Sequence, residues 1–532
     1  MQNRSLFLKT LSLFVVVLAA SLILRPIMDG NAKDKEQPKT KVSEKAAAPA
    51  TQPSDLATRI DKAIDESELG DARWGVSVIS MSDGKTVYAR NADKLFTPAS
   101  NMKIYTTGVA LDLLGPDYRW RTSAYANSQP DGNGRVPGDL VLYGRGAPDL
   151  VANSKDENRG SLAKLADDLY ARGVRSVGGN VIGDESYFRG DPLGDGWQWT
   201  DLQWYFAAEA SALSINGNEV DVNFVPAGKD GKSAVNTSDT ESYFTVENRM
   251  APAERSGPST VGVHRGLSDN TVAVWGEYAP GSKGFGARLS VHKPALWATR
   301  LFVRALKSRG IQVDGQALSR DSRVPQSQRF DPTRAVELAF VQSQPLSEIA
   351  KKTNKESNNL YAELILRTLG RERGNQPAAG GGRERGDDEA GVSVVRDWLS
   401  RAGIPTARLA LHDGSGLSRL DLVTPDTSAR LLLALSKTGA GAVFKDSLPI
   451  GGRDGTLGGR LQPVADRVFA KTGSLTYDNS LSGYLNGENG QIWAFSIMCN
   501  DQTGRSDSIR LIDQIVLLLA DLPKSGSETA KK

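Results

Sequence analysis

One serine in the chain has an amine within reach and a helix end beneath it. In Thr97-Pro98-Ala99-Ser100-Asn101-Met102-Lys103, Ser100 precedes Lys103 by three residues at the head of an apolar segment. Pro98 suits the first turn of a helix, Ile104, Val109, Ala110, Leu111, Leu113 and Leu114 continue it, and Gly115-Pro116 stops it. Residues at that spacing share a helix face, so the amine can touch the hydroxyl. The positive end of the helix dipole favours the negative charge that develops when the oxygen attacks a carbonyl. Ser100 is therefore the candidate nucleophile.

Spacing alone is weak evidence, because Ser82/Lys85, Ser161/Lys164 and Ser290/Lys293 share it. Ser82 and Lys85 flank Asp83-Gly84, a hairpin turn between predicted strands 74–81 and 86–90. Ser161 reads as a helix cap ahead of Leu162, Leu165 and Leu169. Two further signatures follow the first, Ser357-Asn358-Asn359 and Lys471-Thr472-Gly473-Ser474. They too have copies, Ser-x-Asn at Ser214 and Ser268 and Lys-Thr-Gly at Lys437. Lys437 closes the helical run 431–435, where a late lysine and a following glycine are ordinary stop signals. Lys471 instead follows a strand and precedes more strand, as an edge facing a substrate would.

The elements that must carry these residues lie at both ends of the chain. A helix at 56–64 and the hairpin lead into the Ser100 helix, and helices return from 346 to 352 and from 360 to 369. Residues 370–391, charged and glycine-rich, read as a surface loop, followed by helices at 392–402 and 427–435. Strands 483–485 and 492–498 and a last helix at 509–519 close back on the hairpin, giving one α+β domain from 56–119 and 326–522. The texture changes to short strands and turns across 120–325, an insertion of about two hundred residues, enough for one or two mainly β domains. Within it 222–289 reads as a nested small β module.

Composition bounds the rest. The 532 residues exceed one hydrophobic core, and 39% hydrophobic with 24% charged is ordinary for a soluble chain. A net charge of +3 from 65 basic and 62 acidic residues, with no basic stripe, argues against nucleic acid as a partner. Arg4 and Lys9 precede the apolar run 11–24, so 1–28 reads as an export signal, cleaved or kept as an anchor, and any membrane contact would be confined to it. Residues 29–55, rich in Lys, Glu, Ala, Pro and Thr, read as a disordered linker and 523–532 as a tail. The lone cysteine, Cys499, excludes a disulfide within the chain and reads as a small core residue on a strand. His264, His292 and His412 show no metal-ligand spacing, so no metal or other cofactor is expected.

Taken together, Ser100-x-x-Lys103, Ser357-x-Asn359 and Lys471-Thr472-Gly473, in that order, resemble the active-site serine penicillin-recognising proteins. Among these the chain is most similar to the class C low-molecular-mass penicillin-binding proteins, the D-Ala-D-Ala carboxypeptidase/endopeptidases. The resemblance covers nearly everything after the linker. Ile182-Gly183-Asp184, Ser211-Ala212-Leu213-Ser214-Ile215-Asn216, Asp413-Gly414-Ser415-Gly416-Leu417-Ser418-Arg419, Leu448-Pro449-Ile450-Gly451-Gly452 and Asp454-Gly455-Thr456-Leu457 also look familial. It implies an antiparallel sheet with helices on both faces, and additional domains inserted between the first and second signatures.

The roles it implies are specific. Ser100 would attack the carbonyl between the last two D-amino acids of a peptidoglycan stem peptide, and Lys103 would take its proton once burial and the second cation, Lys471, lower its pKa. Ser357 would relay the proton to the leaving amine, Asn359 would donate to an amide carbonyl, and Lys471 with Thr472 would bind the terminal carboxylate. Gly473 would leave the strand edge clear for the peptide, and the backbone N–H groups of Ser100 and Ser474 would form the oxyanion hole. Arg419 reads as a clamp for a carboxylate on the stem peptide's diamino acid or, equally, as a turn-capping arginine. For Asn101, Asn358 and Tyr361 local structural roles are expected. β-Lactam antibiotics would be covalent inhibitors. The alternatives are a β-lactamase, for which no deacylating glutamate stands out between Ser357 and Gly473, and an inert penicillin-binding scaffold.

Overall fold

The computed structural model describes residues 55–227, 233–254, 259–374, 386–487, 490–504 and 507–521. The signal, the linker up to residue 54 and the tail lie outside the described residues, as do 375–385 of the expected loop.

The apolar run Ile492–Asn500 is buried along nearly its whole length and sits in the middle of a five-stranded sheet. The sheet runs Val468–Leu475, Asp478–Asn486, Ile492–Asn500, Arg73–Ser80, Thr86–Arg90, every pair antiparallel. Trp74 lies opposite Cys499 and Val78 opposite Phe495, so strands from the two ends of the chain are neighbours in register. Alternation then sorts the side chains. Trp493, Phe495, Ile497 and Cys499 face one way and pack with Leu56, Ile60, Leu511, Ile512 and Ile515 of helices Asp55–Asp65 and Ser508–Ala520. Ala494 and Met498 join the opposite core, with Leu431, Leu432 and Leu435 of helix Pro425–Leu435. Cys499 is the small buried strand residue expected, and burial pushes its thiol up to about 12.

Helix Met102–Leu114 has apolar residues on every side, with no solvent-facing polar stripe, and runs through this second core, buried from Met102 to Leu111. A helix without a polar face has no place on a surface. Ser100 belongs to the short 3-10 turn Ala99–Asn101 that leads into it.

The inserted region is layered too, and its core is continuous with the one around the Ser100 helix. Its five-stranded sheet runs Ala317–Arg320, Val181–Asp184, Leu140–Tyr143, Arg121–Ala126, Val336–Gln342 and packs against helices Leu162–Ala171 and Pro294–Ser308. Ser161 caps the first of these helices, its hydroxyl accepting from Lys164 N at 3.2 Å. Two three-stranded sheets, one of Glu219–Val225, Ala234–Thr237 and Phe285–Ser290, the other of Thr245–Pro252, Thr260–Arg265 and Thr271–Tyr278, form the β-rich part.

Two boundaries differ from the sequence reading. Strand Val336–Gln342, expected with the first domain, pairs with Arg121–Ala126 and belongs to the inserted sheet. The expected loop 370–391 is narrower, because one helix continues to Arg373 and the next begins at Asp387. Asp387, Asp388 and Glu389 supply a negative first turn for that second helix, a start signal that outweighs the neighbouring glycines.

Candidate active site

The three signatures meet at the edge of the large sheet. Lys103 Nζ lies 2.9 Å from Ser100 Oγ, 2.6 Å from Asn359 Oδ1 and 2.7 Å from the Ser415 carbonyl. Lys471 Nζ donates to Ser357 Oγ at 2.9 Å and to the Thr472 carbonyl at 2.9 Å. Two serine–lysine pairs thus stand near enough for the charge of Lys103 to act on Lys471. Ser357 sits between helices Leu346–Lys355 and Asn359–Arg373 with φ 59°, a left-handed conformation that costs a residue with a Cβ about 1–3 kcal/mol. Ala99, beside the nucleophile, is left-handed too, with φ 49°.

Both amines are fully buried, and that sets their protonation. Burial draws the Lys103 amine down to about 7, against the attraction of Asp413 and then Glu363. Burial and repulsion from Lys471 were both expected from sequence; of the two, burial is the one that acts on Lys103. Repulsion shows on Lys471, which burial and then Lys103 push well below the usual lysine range. An amine near 7 is free often enough at neutral pH to accept a proton, which an ordinary lysine at about 10.4 is not.

Strand Val468–Leu475 is the outermost of its sheet. Ala470 N donates off the sheet to the Pro449 carbonyl at 3.0 Å. Alternation along a strand therefore turns the backbone of Thr472 and Ser474 to the same outer side, the side on which Lys471 reaches the Thr472 carbonyl. The Ser474 N–H is thereby aimed as an oxyanion donor would be. Thr472 Oγ1 is held by Thr456 Oγ1 at 2.8 Å, and the Ser474 hydroxyl donates to Asn479 Oδ1.

Gly473 has a different purpose from the one expected. A Cβ on it would lie 2.2 Å from Ser480 Oγ and 2.6 Å from the Pro98 carbonyl. Its missing side chain makes room for the nucleophile's turn, beneath the strand, and not for a ligand along the edge.

Asn101 has more than a local role. Fully buried, it donates to the Lys471 carbonyl at 3.1 Å and to Ser480 Oγ at 2.7 Å, tying the Ser100 turn to the strand. Asn358 acts locally as expected, capping its helix by accepting from Tyr361 N at 3.0 Å. Asn359 Nδ2 donates to the Phe206 carbonyl at 2.8 Å, which leaves one N–H of that amide for a ligand. Arg419 reaches the turn after the Lys-Thr-Gly strand, 3.2 Å from the Thr476 carbonyl and 3.4 Å from Asp478 Oδ2. Of its two sequence readings, the turn-capping one describes this arrangement. Among the described residues no group of three or more His, Cys, Asp or Glu is arranged to hold a metal ion.

A sheet between helix layers, with a buried lysine against the nucleophilic serine and a second lysine on the sheet edge, defines the class of serine penicillin-recognising enzymes. Residues 56–522 match the D-Ala-D-Ala carboxypeptidase 3 (S13) family. The chain is 34% identical over 481 residues to the D-alanyl-D-alanine carboxypeptidase of Actinomadura sp. strain R39, covering 88% of this chain and 85% of that one. It is 29% identical over 417 residues to D-alanyl-D-alanine carboxypeptidase DacB of Haemophilus influenzae, covering 76% and 80%. The crystal structure of penicillin binding protein 4 (dacB) from Haemophilus influenzae superposes with a TM-score of 0.73 at 24% identity, covering 87% of this chain and 99% of that one, a likeness of fold. The chain belongs to the S13 family, and is a serine D-Ala-D-Ala carboxypeptidase of the class C low-molecular-mass kind.

Proposed function

We propose that Ser100 hydrolyses the terminal D-Ala-D-Ala bond of peptidoglycan stem peptides through an acyl-enzyme, outside the cytoplasm, and that penicillins trap it covalently. The observation that carries this reading is the set of partners around Lys103 Nζ. A neutral amine keeps two N–H bonds, and Asn359 Oδ1 and the Ser415 carbonyl take them. The lone pair that remains is aimed at the Ser100 hydroxyl, so the base is oriented before substrate arrives.

The steps follow from position. Lys103 accepts the Ser100 proton as the oxygen adds to the carbonyl, and the backbone N–H groups of Ser100 and Ser474 receive the oxyanion. Ser357, held by Lys471, relays the proton that Lys103 took to the departing amine, which frees Lys103 for the second step. Thr472 and Lys471 bind the terminal carboxylate, and the spare N–H of Asn359 holds an amide carbonyl upstream. Water then releases the acyl group. The same parts serve an endopeptidase, since both reactions cut after a D-alanine carbonyl and differ in the amine that leaves.

Fluorescent penicillin labelling and D-alanine release by Ser100→Ala test the assignment. Both are expected to vanish. Persistent labelling of that variant overturns Ser100 as nucleophile, and mass spectrometry of cross-linked muropeptides after digestion separates carboxypeptidase from endopeptidase cleavage.

A further inference from the structure

Behind Lys103 lies a buried acidic group that the reaction above does not use. Asp413, fully buried, is the hub of the loop that presents the Ser415 carbonyl to the lysine. Its Oδ1 accepts from Ser415 N at 3.2 Å and Gly416 N at 2.6 Å. Its Oδ2 accepts from Ser415 Oγ at 3.1 Å, Ser418 N at 2.8 Å and Trp197 Nε1 at 2.9 Å. Five donors converge on one carboxylate, more than structural closure of a six-residue turn requires. The fifth comes from the inserted region, far away along the chain.

The rest of the loop is braced in the same sense. Glu363 Oε1 accepts from Gly414 N at 3.0 Å, and Thr106 Oγ1, one turn beyond Lys103, donates to the Gly414 carbonyl at 2.8 Å. Gly416, with φ 78°, rests on the nucleophile's own turn, where a Cβ would lie 1.7 Å from the Ala99 carbonyl. Gly196, one residue before Trp197, receives Arg419 N on its carbonyl at 3.3 Å. The segment around Trp197 is therefore fastened to the loop at two points.

The geometry points to Asp413 as a positioning residue for the base, holding the Ser415 carbonyl on Lys103 so that the lysine lone pair faces Ser100, with Trp197 of the inserted region locking Asp413 in place. The inserted region is thus wired to the catalytic base. This rests on the reading of Lys103 as base. Asp413 from the loop, Glu363 from helix Asn359–Arg373 and Lys471 from the strand act on that amine, and behind them Asp421 faces Asp413 and Arg367 faces Glu363. Arg367 is itself paired with Asp388. Of these, Asp413 contributes the largest attraction to the Lys103 ammonium.

The test is the pH profile of penicillin acylation, measured by stopped flow on the full protein. In the wild type the rate rises through the titration of Lys103, near 7. Asp413→Asn removes the charge that favours the ammonium, so the acidic limb moves down by about one pH unit, the low end of what losing a nearby opposite charge produces. Its plateau falls as well, because an amide nitrogen cannot accept from Ser418 N or Trp197. A purely structural role lowers the unfolding temperature and leaves the limb where it was, and that result in a folded Asp413→Asn protein overturns the proposal. Trp197→Phe covers the case in which that variant does not fold. It removes one charge-assisted hydrogen bond, so the plateau drops about tenfold while the noncovalent affinity for penicillin holds. Acylation by Trp197→Phe at the wild-type rate overturns the link to the inserted region. A wild-type profile without an acidic limb near 7 sinks the assignment of Lys103 as base, a different failure that Ser100→Ala labelling reads independently.

Discussion

Replacing Asn101 by Ala isolates the bond between the nucleophile and the strand that receives its substrate. The side-chain amide of Asn101 makes two hydrogen bonds in a fully buried place, to the Lys471 carbonyl and to Ser480 Oγ. At a net of about 0.5–1.5 kcal/mol each, their loss comes to roughly 1–3 kcal/mol. Ser480 keeps its bond to the Pro98 carbonyl at 2.7 Å, so the turn loosens without coming free. The expected result is a fall of that size in stability by urea unfolding, together with acylation slower by about 10- to 100-fold, the cost of a displacement approaching 1 Å at the reacting atom. Asn101→Asp, of the same size but unable to donate, gives no rescue and adds a buried charge. A loss below about 0.5 kcal/mol, the range of an ordinary surface change, with acylation within twofold of wild type would refute the tie.

Three further outcomes follow from the same coordinates. Gly473→Ala drives a Cβ to 2.6 Å from the Pro98 carbonyl, which is backbone and must move with Ser100, so penicillin acylation drops at least about tenfold and retained activity contradicts the packing argument. Burial, and then Asp413, raise the Glu363 carboxyl from 4.5 to about 8, so its stabilising proton is secure below about 4.5 and is lost as pH climbs through 8; Glu363→Gln removes that loss, and its advantage in urea midpoint over wild type should grow from pH 5 to pH 9, a flat difference counting against it. Cys499, fully buried with its thiol raised to about 12, stays unreactive toward a thiol reagent in the native protein at pH 8 and reacts once the protein is denatured; native reaction at the denatured rate disproves its place in the core.

The parts of the site that could be read from sequence were those with local grammar. Pro98 ahead of an apolar run announces the Ser100 helix, and the strand on either side of Lys471 separates it from its copy at Lys437. Ser161 shows itself as a cap because the apolar spacing begins right after it. Long-range pairings leave no such trace. Nothing near Asn101 tells that its amide crosses to Lys471, and nothing near Trp197 points to Asp413. The familial Asp413–Arg419 stretch stood out with a role suggested only for Arg419, since a loop wrapped about a carboxylate has no periodicity. Glu363 passed as a lone acid within an apolar helix, and nothing beside it tells which loop it braces. Residues 336–342 were placed with the first domain for a similar reason, because no local signal tells that this strand pairs with Arg121–Ala126.

The placement of the site on the chain has a physical logic. Ser100 and the Lys-Thr-Gly strand come from opposite ends of the sequence, yet they are joined within one sheet and its nearest turn. Trp74 against Cys499 and Asn101 against Lys471 fix that join through register and buried hydrogen bonds. Acyl transfer needs the nucleophile and the oxyanion donors held to a fraction of an ångström, and rigid elements do this better than loops. The base and the proton relay require something else: two amines a few ångströms apart that are not both charged. Full burial of Lys103 and Lys471 disfavours the doubly charged state, while Asp413 keeps Lys103 from losing its affinity for protons altogether. A proton leaving Ser100 therefore meets a base poised between these opposing terms, and the hydroxyl of Ser357 beside Lys471 gives it an onward path to the departing amine.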